Sequence, residues 1–288
     1  MPSAEGSKTS GIALGVLAYF VFAVHDAGIK WLVAEVPVWQ ILFFRSATIL
    51  ILCLSIGRRT LLERAAASPL KRPLAMRGLI NLVAWLCYYS AARSLPLAQL
   101  LSLYFAAPIM ITIMARQILH EHVTRARWVS VAVGFIGVMF ASDPLGVRAS
   151  FSTVLVLIAA ALWGYGIILM RQIARMEPTL LQMLSINTVF FVATGIATLL
   201  HWQPITTSQL ALLIGVGVVG GLAQFLVFEA ARIIPASVMA TVEYSALPWA
   251  FLLGYWIWLD IPAVSVFVGA ALIILAGAIL VRAERKAC

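Results

Sequence analysis

Charge is the scarcest commodity in this sequence. Of 288 residues, 11% are Asp, Glu, Lys or Arg and 63% are hydrophobic, with a mean hydropathy of +1.02; soluble domains carry roughly 25% charged residues. So little charge cannot cover so apolar a core in water, which excludes a soluble globular fold. Acids are rarer than bases, 11 against 20, for a net charge of +9. In a soluble chain that excess would raise nucleic acid as a partner. Here it fits basic loops on the cytoplasmic side of a bilayer, and no nucleic-acid partner is expected. Cysteine is sparse as well. Cys53, Cys87 and Cys288 have no CxxC or paired spacing, so no disulfide framework is implied, and Cys53 and Cys87 read as small buried residues. The sequence also lacks a P-loop, a GxSxG and a glycine-rich dinucleotide fingerprint. That argues against an ATP-driven pump built from this chain alone. With no clustered acid/base or nucleophile set, it argues against an enzyme too, and no cofactor is expected. His120-Glu121-His122 is not HExxH, has no evident third ligand and sits among arginines at a helix end, so it reads as a solvated loop rather than a metal site.

What the sequence has in abundance is long apolar runs. Outer-membrane barrels show short alternating segments, whereas helix bundles need about 20 apolar residues per span. Ten runs qualify: 10–31, 37–56, 75–93, 96–116, 126–142, 151–171, 179–200, 208–229, 235–257 and 262–281. The first is too long for a signal-peptide core and continues into His25, Asp26 and Lys30 without a clear cleavage site, so it is expected to be retained. Connections are short except 57–74, which carries Arg58, Arg59, Arg64, Lys71 and Arg72. A cytoplasmic N-terminus puts sixteen of the twenty Lys and Arg residues inside. Lys30, Arg93 and Arg148 then fall outside, and Arg45 lies within the second span. The expectation is an all-α integral membrane protein of ten transmembrane helices with both termini cytoplasmic.

A repeat runs through these spans. Residues 91–96 read Ala-Ala-Arg-Ser-Leu-Pro and residues 230–235 read Ala-Ala-Arg-Ile-Ile-Pro, an offset of 139. Glu121 and Asp260 share that offset. Lys30 and Arg171 both end the first helix of a half, which pairs Phe22 with Trp163, and Pro108 and Pro248 match with a one-residue slip. Five helices per half is odd, so the second half must enter the membrane from the opposite side. Charge follows: the loop after the fourth span is basic (Arg116, Arg125, Arg127), whereas its mate after the ninth carries only Asp260. The expected units are residues 1–145 and 146–288, an inverted 5+5 repeat, an architecture that points to a carrier with two rocking halves.

The order of motifs is similar to that of the drug/metabolite transporter superfamily, and specifically resembles its EamA-type ten-helix members. The likeness is carried by Phe22-Ala-Val-His-Asp-Ala-Gly-Ile-Lys30-Trp31, Phe43-Phe44-Arg45-Ser46, Arg77-Gly78-Leu79, Tyr89-Ser-Ala-Ala-Arg93 with Pro96, Ala106-Ala107-Pro108, Glu121, and the Gly134/Gly137 helix. The second half repeats the scheme more loosely. Asp260 stands where the family often has Glu, and the Gly that usually precedes the acid is absent in both halves (Leu119-His120, Trp258-Leu259). The resemblance implies a secondary carrier of small metabolites in the inner membrane, functional as a monomer, with bacterial aromatic amino-acid exporters among its similar members. The expected activity is broad-specificity amino-acid export that includes aromatic amino acids. Relatives that move carboxylates, riboflavin, S-adenosylmethionine or drug-like compounds leave those substrates open. A channel is disfavoured because no ring of like groups is evident.

A carrier needs a site near the midplane lined by both halves. Aromatic area and a few orienting polar groups suit weak, reversible binding. Trp163 in Trp163-Gly164-Tyr165-Gly166 is the first candidate, with glycines leaving room beside the ring; close helix packing through small residues is the alternative. Asn81, Trp85 and Tyr88 or Tyr89 share one face of the third helix, and Asn81, Trp85 and Tyr89 are the cavity candidates. Tyr88 and Tyr89 also suit an interfacial aromatic belt. Glu243, with Tyr244 beside it, could meet a substrate amino group or pair with Arg232; Gln224 is a weaker candidate. His25, Asp26 and Arg45 are intramembrane ionisable residues, functional by default. Asp26 lies roughly 9 Å and Arg45 roughly 12 Å from the outer face at 1.5 Å per residue, so the two can pair, and Asp26 and Lys30 are spaced i, i+4. His25 could be a proton site or a bonded bundle histidine. Glu229 and Arg232 read as a surface pair. Pro108 and Pro248, placed inside helices, are candidate gating kinks.

Overall fold

The structure is a computed structural model that describes residues 4–33, 35–92, 103–142, 150–174, 176–258 and 264–286. Among these residues it is all-helical, with eleven helices. They are α1 (Ala4–Leu32), α2 (Val38–Ala67), α3 (Lys71–Ala92), α4 (Ala107–Ile118), α5 (Arg125–Ser142), α6 (Phe151–Ala174), α7 (Thr179–Leu200), α8 (Thr207–Ile233), α9 (Ala236–Glu243), α10 (Ala246–Trp258) and α11 (Val264–Lys286). Arg93 and Pro96 of the first repeat motif, Arg148, Asp260 and Cys288 lie outside the described residues.

Local sequence sets the boundaries. α2, α7 and α9 each follow a proline in extended conformation, Pro37, Pro178 and Pro235, which lacks an N–H to donate and has φ already near the helical value. α8 begins with a capping box: Thr206 Oγ1 accepts the Gln209 N–H at 3.2 Å, and Gln209 Oε1 accepts the Thr206 N–H at 2.8 Å. α2 leaves helical geometry at Arg58 (φ 49°, ψ −151°), just past the expected end of the second span at residue 56.

Among the described residues, six segments are long and apolar enough to cross a membrane: Thr9–Leu32, Val38–Ala67, Phe151–Ala174, Thr179–Leu200, Thr207–Ile233 and the composite Ala236–Ile257. Ala107–Ile118 and Phe267–Ala283 are shorter apolar helices. The distribution of side chains is that of a multi-pass membrane protein. Ile51, Ile196, Leu199, Phe267 and Ile274 point outward, while Gln40, Arg45, Asn81, Asn187, Gln224 and Glu243 are buried. Water would not favour this arrangement; a hydrocarbon solvent does.

The expected fourth and ninth spans are each interrupted. Residues 103–104 are helical, Phe105 and Ala106 form a turn, and α4 starts at Ala107; α9 ends at Glu243, Tyr244 and Ser245 form a turn, and α10 starts at Ala246. The turns carry matching bonds, Ala106 N–H to Leu103 O at 3.1 Å and Ser245 N–H to Val242 O at 3.0 Å. Each residue in the second set lies 139 positions after its counterpart in the first. Ala106 and Tyr244 keep right-handed helical φ/ψ, so each span bends at a tightened turn, and Pro108 and Pro248 stand just past the bend, where kinks are expected. They occupy the first turns of α4 and α10, where a missing N–H costs nothing.

Packing has the same regularity. The most extensive contacts are α5–α11, α1–α8, α2–α7 and α3–α6, followed by α2–α8, α4–α6, α3–α7 and α1–α10. Exchange α1 with α6, α2 with α7, α3 with α8, α4 with α10 and α5 with α11. Then α1–α8 becomes α3–α6, α2–α8 becomes α3–α7 and α1–α10 becomes α4–α6, while α2–α7 and α5–α11 map onto themselves. The main apolar cluster joins α1, α2, α4, α6, α7, α8 and α9, with single residues from α3 and α11, and it packs the interrupted spans against their neighbours.

Candidate functional site: an aromatic cavity above a polar chamber

Both interruptions open onto one cavity of about 180 Å³. α1 contributes Tyr19, Phe22, Ala23 and Asp26, positions i, i+3, i+4 and i+7 of one helical face. α3 gives Ala84, Trp85, Tyr88 and Tyr89; the first interruption gives Tyr104 and Phe105; α6 gives Ala159 and Trp163. The second interruption gives Glu243 and, beyond it, Ala246, Leu247 and Ala250. Aromatic rings form most of the wall. Tyr88 meets Tyr104 edge to face at 5.0 Å and Tyr89 at 5.8 Å, and Tyr89 meets Trp85 at 5.7 Å, separations typical of favourable aromatic pairs.

Glu243 is the acid in this wall closest to the core. It is 3% exposed, and its Oε1 accepts the Trp163 indole N–H at 2.9 Å. Glu243 Oε2 makes no hydrogen bond of full geometry among the described residues, and the Tyr19 hydroxyl, likewise without one, faces Glu243. Two leading sequence candidates are thus directly bonded, and Glu243 does not pair with Arg232. Arg232 instead donates to the Glu177 carbonyl at 3.3 Å and sits 3.9 Å from Glu229, the half-exposed pair expected from their spacing. A buried carboxylate with an incompletely bonded oxygen is costly to leave so. A ligand carrying an ammonium group could occupy that oxygen while its apolar part lies against the rings.

Asp26 and Arg45 are joined through His25. Arg45 Nε donates to His25 Nε2 at 3.2 Å, and His25 Nδ1 lies 2.9 Å from Asp26 Oδ1. A guanidinium can only donate, so Nε2 is the acceptor and the ring proton sits on Nδ1. The imidazole is neutral in this arrangement and relays between the two charges. His25 is fully buried, whereas the Asp26 side chain is 70% exposed and lines the cavity. Gly220 of α8 makes space for the relay: a Cβ there would stand 2.7 Å from His25 Cδ2 and 3.0 Å from Arg45 Nε.

Phe22, Trp85 and Trp163 divide the aromatic cavity from a second space of about 40 Å³. Its walls include Arg45, Arg77, Asn81, Asn187 and Gln224. The Arg45 guanidinium lies 4.9 Å over the Trp85 ring, and that of Arg77 lies 4.3 Å over Phe228, cation–π geometry in both cases. Arg77 donates to Gln182 Oε1 at 3.1 Å, Asn81 to the Arg77 carbonyl at 2.9 Å, and Asn187 to Gln224 Oε1 at 3.1 Å.

Of the candidates read from the sequence, Trp163, Trp85, Tyr89 and Glu243 line the aromatic cavity together with Asp26, and Asn81, Gln224 and Arg45 line the polar chamber. Tyr165, Tyr244 and His25 line neither. Tyr244 is fully buried beside Phe105, Val138, Leu247 and Ile273, with its ring where a Cβ on Gly134 would fall, 2.5 Å away. The glycines next to Trp163 likewise serve packing. A Cβ on Gly164 would meet Met114, and one on Gly166 would meet Asn81 at 2.9 Å. Lys30 follows Asp26 by one turn in α1, at its last turn.

Sequence reasoning passes over Tyr19, Phe22, Tyr104, Arg77 and Asn187. The stripe of Asn81 and Trp85 extends one turn back to Arg77, whose place in the chain groups it with the cytoplasmic loop charges. Arg77 is instead 4% exposed inside α3. Glu121 too has a specific task. Its carboxylate accepts the backbone N–H groups of Ala236 (3.0 Å) and Ser237 (3.2 Å) and the Ser237 hydroxyl (2.8 Å). It thereby caps the positive end of α9, the short helix that carries Glu243.

Residues 9–142 match the model of the EamA-like transporter family. Over most of its length the chain is similar to curated proteins of small-molecule transport. It is 29% identical to the pseudopaline exporter of Pseudomonas aeruginosa, covering 96% of this chain and 97% of that one. It is 27% identical to the riboflavin transporter of Vibrio cholerae (72% and 69%) and 26% identical to the S-adenosylmethionine uptake transporter of Rickettsia bellii (98% of each). A solved crystal structure with 16% identity has the same fold, with a TM-score of 0.78 over 98% of both chains.

Proposed function

We propose that this chain, which belongs to the EamA-like transporter family of the drug/metabolite transporter superfamily, is a secondary carrier that exports amino acids, aromatic ones included, across the inner membrane by alternating access. The observation that carries this reading is Glu243, buried at the interrupted ninth span with one oxygen bonded to Trp163 and the other lacking a hydrogen bond of full geometry among the described residues, in a cavity walled by tyrosine and tryptophan rings. The carboxylate meets a substrate ammonium. The rings give flat contact that tolerates many side chains, so specificity is broad.

The inverted 5+5 reading, units 1–145 and 146–288, draws support from the matched interruptions and from the packing that exchanges onto itself. Interrupted helices facing each other at a central cavity are how carriers of this design build their sites. With both termini cytoplasmic, Asp26, Tyr88, Tyr89 and Ala250 belong to the outer half of the cavity, and Glu121 and Arg127 to the closed inner end. Arg127 Nη1 donates to Ser237 Oγ at 3.1 Å. The protein works as a monomer and is not an enzyme. Transport is driven by the substrate gradient, and Asp26 and Glu243 are the acids that a proton would use if the process is coupled to one.

The relatives move different compounds and include both an exporter and uptake transporters. A carboxylate, riboflavin, S-adenosylmethionine or a drug-like compound is the second reading. The cavity favours the smaller substrates: about 180 Å³ is below the roughly 300–1,000 Å³ of drug-sized sites. Uptake of a panel of radiolabelled amino acids into liposomes containing the purified protein, with and without a pH gradient, tests the proposal. Saturable uptake of phenylalanine, tryptophan and several others is the expected result. No amino-acid uptake by folded protein that transports riboflavin or S-adenosylmethionine would move it to the second reading.

A further inference from the structure

We infer that the polar chamber below Trp163 is a carboxylate-binding subsite centred on Arg77, so that the carrier reads both charged ends of a zwitterion. The inference rests on the amino-acid reading for the identity of the zwitterion, but its geometric basis is separate. The chamber wall contains two guanidinium groups, Arg45 and Arg77, and three amides, Asn81, Asn187 and Gln224; it contains no carboxylate among the described residues. Arg45 spends its Nε on neutral His25. Arg77 is 4% exposed and has the neutral Gln182 as its side-chain partner, and its Nε has no partner among the described residues.

A buried guanidinium without an anion is an expensive arrangement. Stacking on Phe228 offsets a part of that cost, but an unused N–H at the wall of a space whose other lining is largely apolar, Ile167, Met170, Ile186 and Phe190 among it, calls for an acceptor. About 40 Å³ exceeds the ~10–15 Å³ that one water requires, so the space suits a carboxylate group rather than a whole metabolite. The aromatic cavity complements it. There Glu243 supplies the negative charge, while the rings accept an apolar body. Trp163 belongs to both walls and is tied to Glu243. The substrate's ring lies in the upper cavity and its ammonium beside Glu243. Its carboxylate enters the chamber past Trp163, as the next station on the path inward.

The test uses direct binding to the purified full-length protein, independent of transport. Radiolabelled 3-phenylpropionate has the ring and carboxylate of phenylalanine without the ammonium; 3-phenylpropanol is its neutral counterpart. Equilibrium dialysis is expected to show saturable binding of 3-phenylpropionate at least ~10-fold tighter than of 3-phenylpropanol, as a hydrogen bond to a charged group implies. Arg77→Gln is expected to erase that preference and Arg77→Lys to keep a part of it. Equal binding of acid and alcohol by the wild type, a result that needs no variant to fold, overturns the inference. So does an unchanged preference in Arg77→Gln. Acetate competing as strongly as 3-phenylpropionate would assign the chamber to a free small anion and overturn its role in reading the substrate. Failure of phenylalanine uptake alongside a retained preference for the acid would instead strike the amino-acid reading and leave the subsite standing.

Discussion

Replacing Glu243 with Gln separates charge from shape. In Glu243→Gln the amide oxygen keeps the position of Oε1 and still accepts the Trp163 N–H that lies 2.9 Å away, so the short helix α9 and the ring of Trp163 keep their places. What disappears is the negative charge on a carboxylate whose second oxygen makes no hydrogen bond of full geometry among the described residues. Hydrogen bonds to charged groups contribute about 1.5–3 kcal/mol and neutral ones about 0.5–1.5 kcal/mol. The difference of roughly 1–2 kcal/mol corresponds to about a 5- to 30-fold rise in KM for substrates that present an ammonium group. The assay is concentration-dependent uptake of phenylalanine into liposomes, with 2-phenylethylamine and 3-phenylpropanol as competitors. The amine should lose its potency against the variant, and the neutral alcohol should not. Trp163→Phe removes the donor and leaves the carboxylate free to turn. It should also weaken ammonium recognition, and the double variant should be less impaired than the two single effects combined, as coupled neighbours behave. Wild-type KM and unchanged amine competition in a well-folded Glu243→Gln protein would refute the assignment of Glu243 to the substrate.

Other expectations follow from single contacts. Gly220→Ala forces a methyl group against His25 and Arg45; overpacking of this kind costs about 1–3 kcal/mol and should lower the thermal unfolding midpoint in detergent, whereas Gly254→Ala, with open space around it, should not. Removing the Glu121 cap in Glu121→Ala should cost about 1–2 kcal/mol, read in the same unfolding assay, with Glu121→Gln intermediate because an amide oxygen still accepts. His25→Leu should destabilise the protein more than Asp26→Asn. The first strands the buried Arg45 guanidinium, and the second removes a side-chain charge that is 70% exposed, where charge pairs contribute about 0–1 kcal/mol.

Much of the architecture is written in the composition. Apolar runs of about 20 residues leave few folding options in a bilayer, and every run with described residues contains helix. The 139-residue offset is legible from Arg93 and Arg232, and the two interruptions lie the same distance apart. The interruptions themselves are not legible, because proline inside an apolar run reads equally as a kink or a break. The deciding interactions are i→i−3 bonds at Ala106 and Ser245, which no composition reveals. In the site, the polar-aromatic stripe of α3 is readable because polar groups at helical spacing inside a membrane must face protein or water. Arg77 escapes that reading because a basic loop precedes it, so position along the chain outweighs helical phase. The Trp163–Glu243 bond joins residues 80 positions apart, and the His25 relay depends on space left by Gly220 on another helix. Such links require the fold.

Counterflow distinguishes alternating access around the Glu243–Trp163 cavity from passage through an open pore. Liposomes containing the protein are loaded with unlabelled phenylalanine and diluted into a trace of labelled phenylalanine. A carrier that must return its site to the outside will accumulate label transiently above equilibrium, and Glu243→Gln will flatten that overshoot. Label that rises only to equilibrium whatever the internal load, in liposomes whose protein still conducts phenylalanine, would show a pore rather than a carrier and contradict the account.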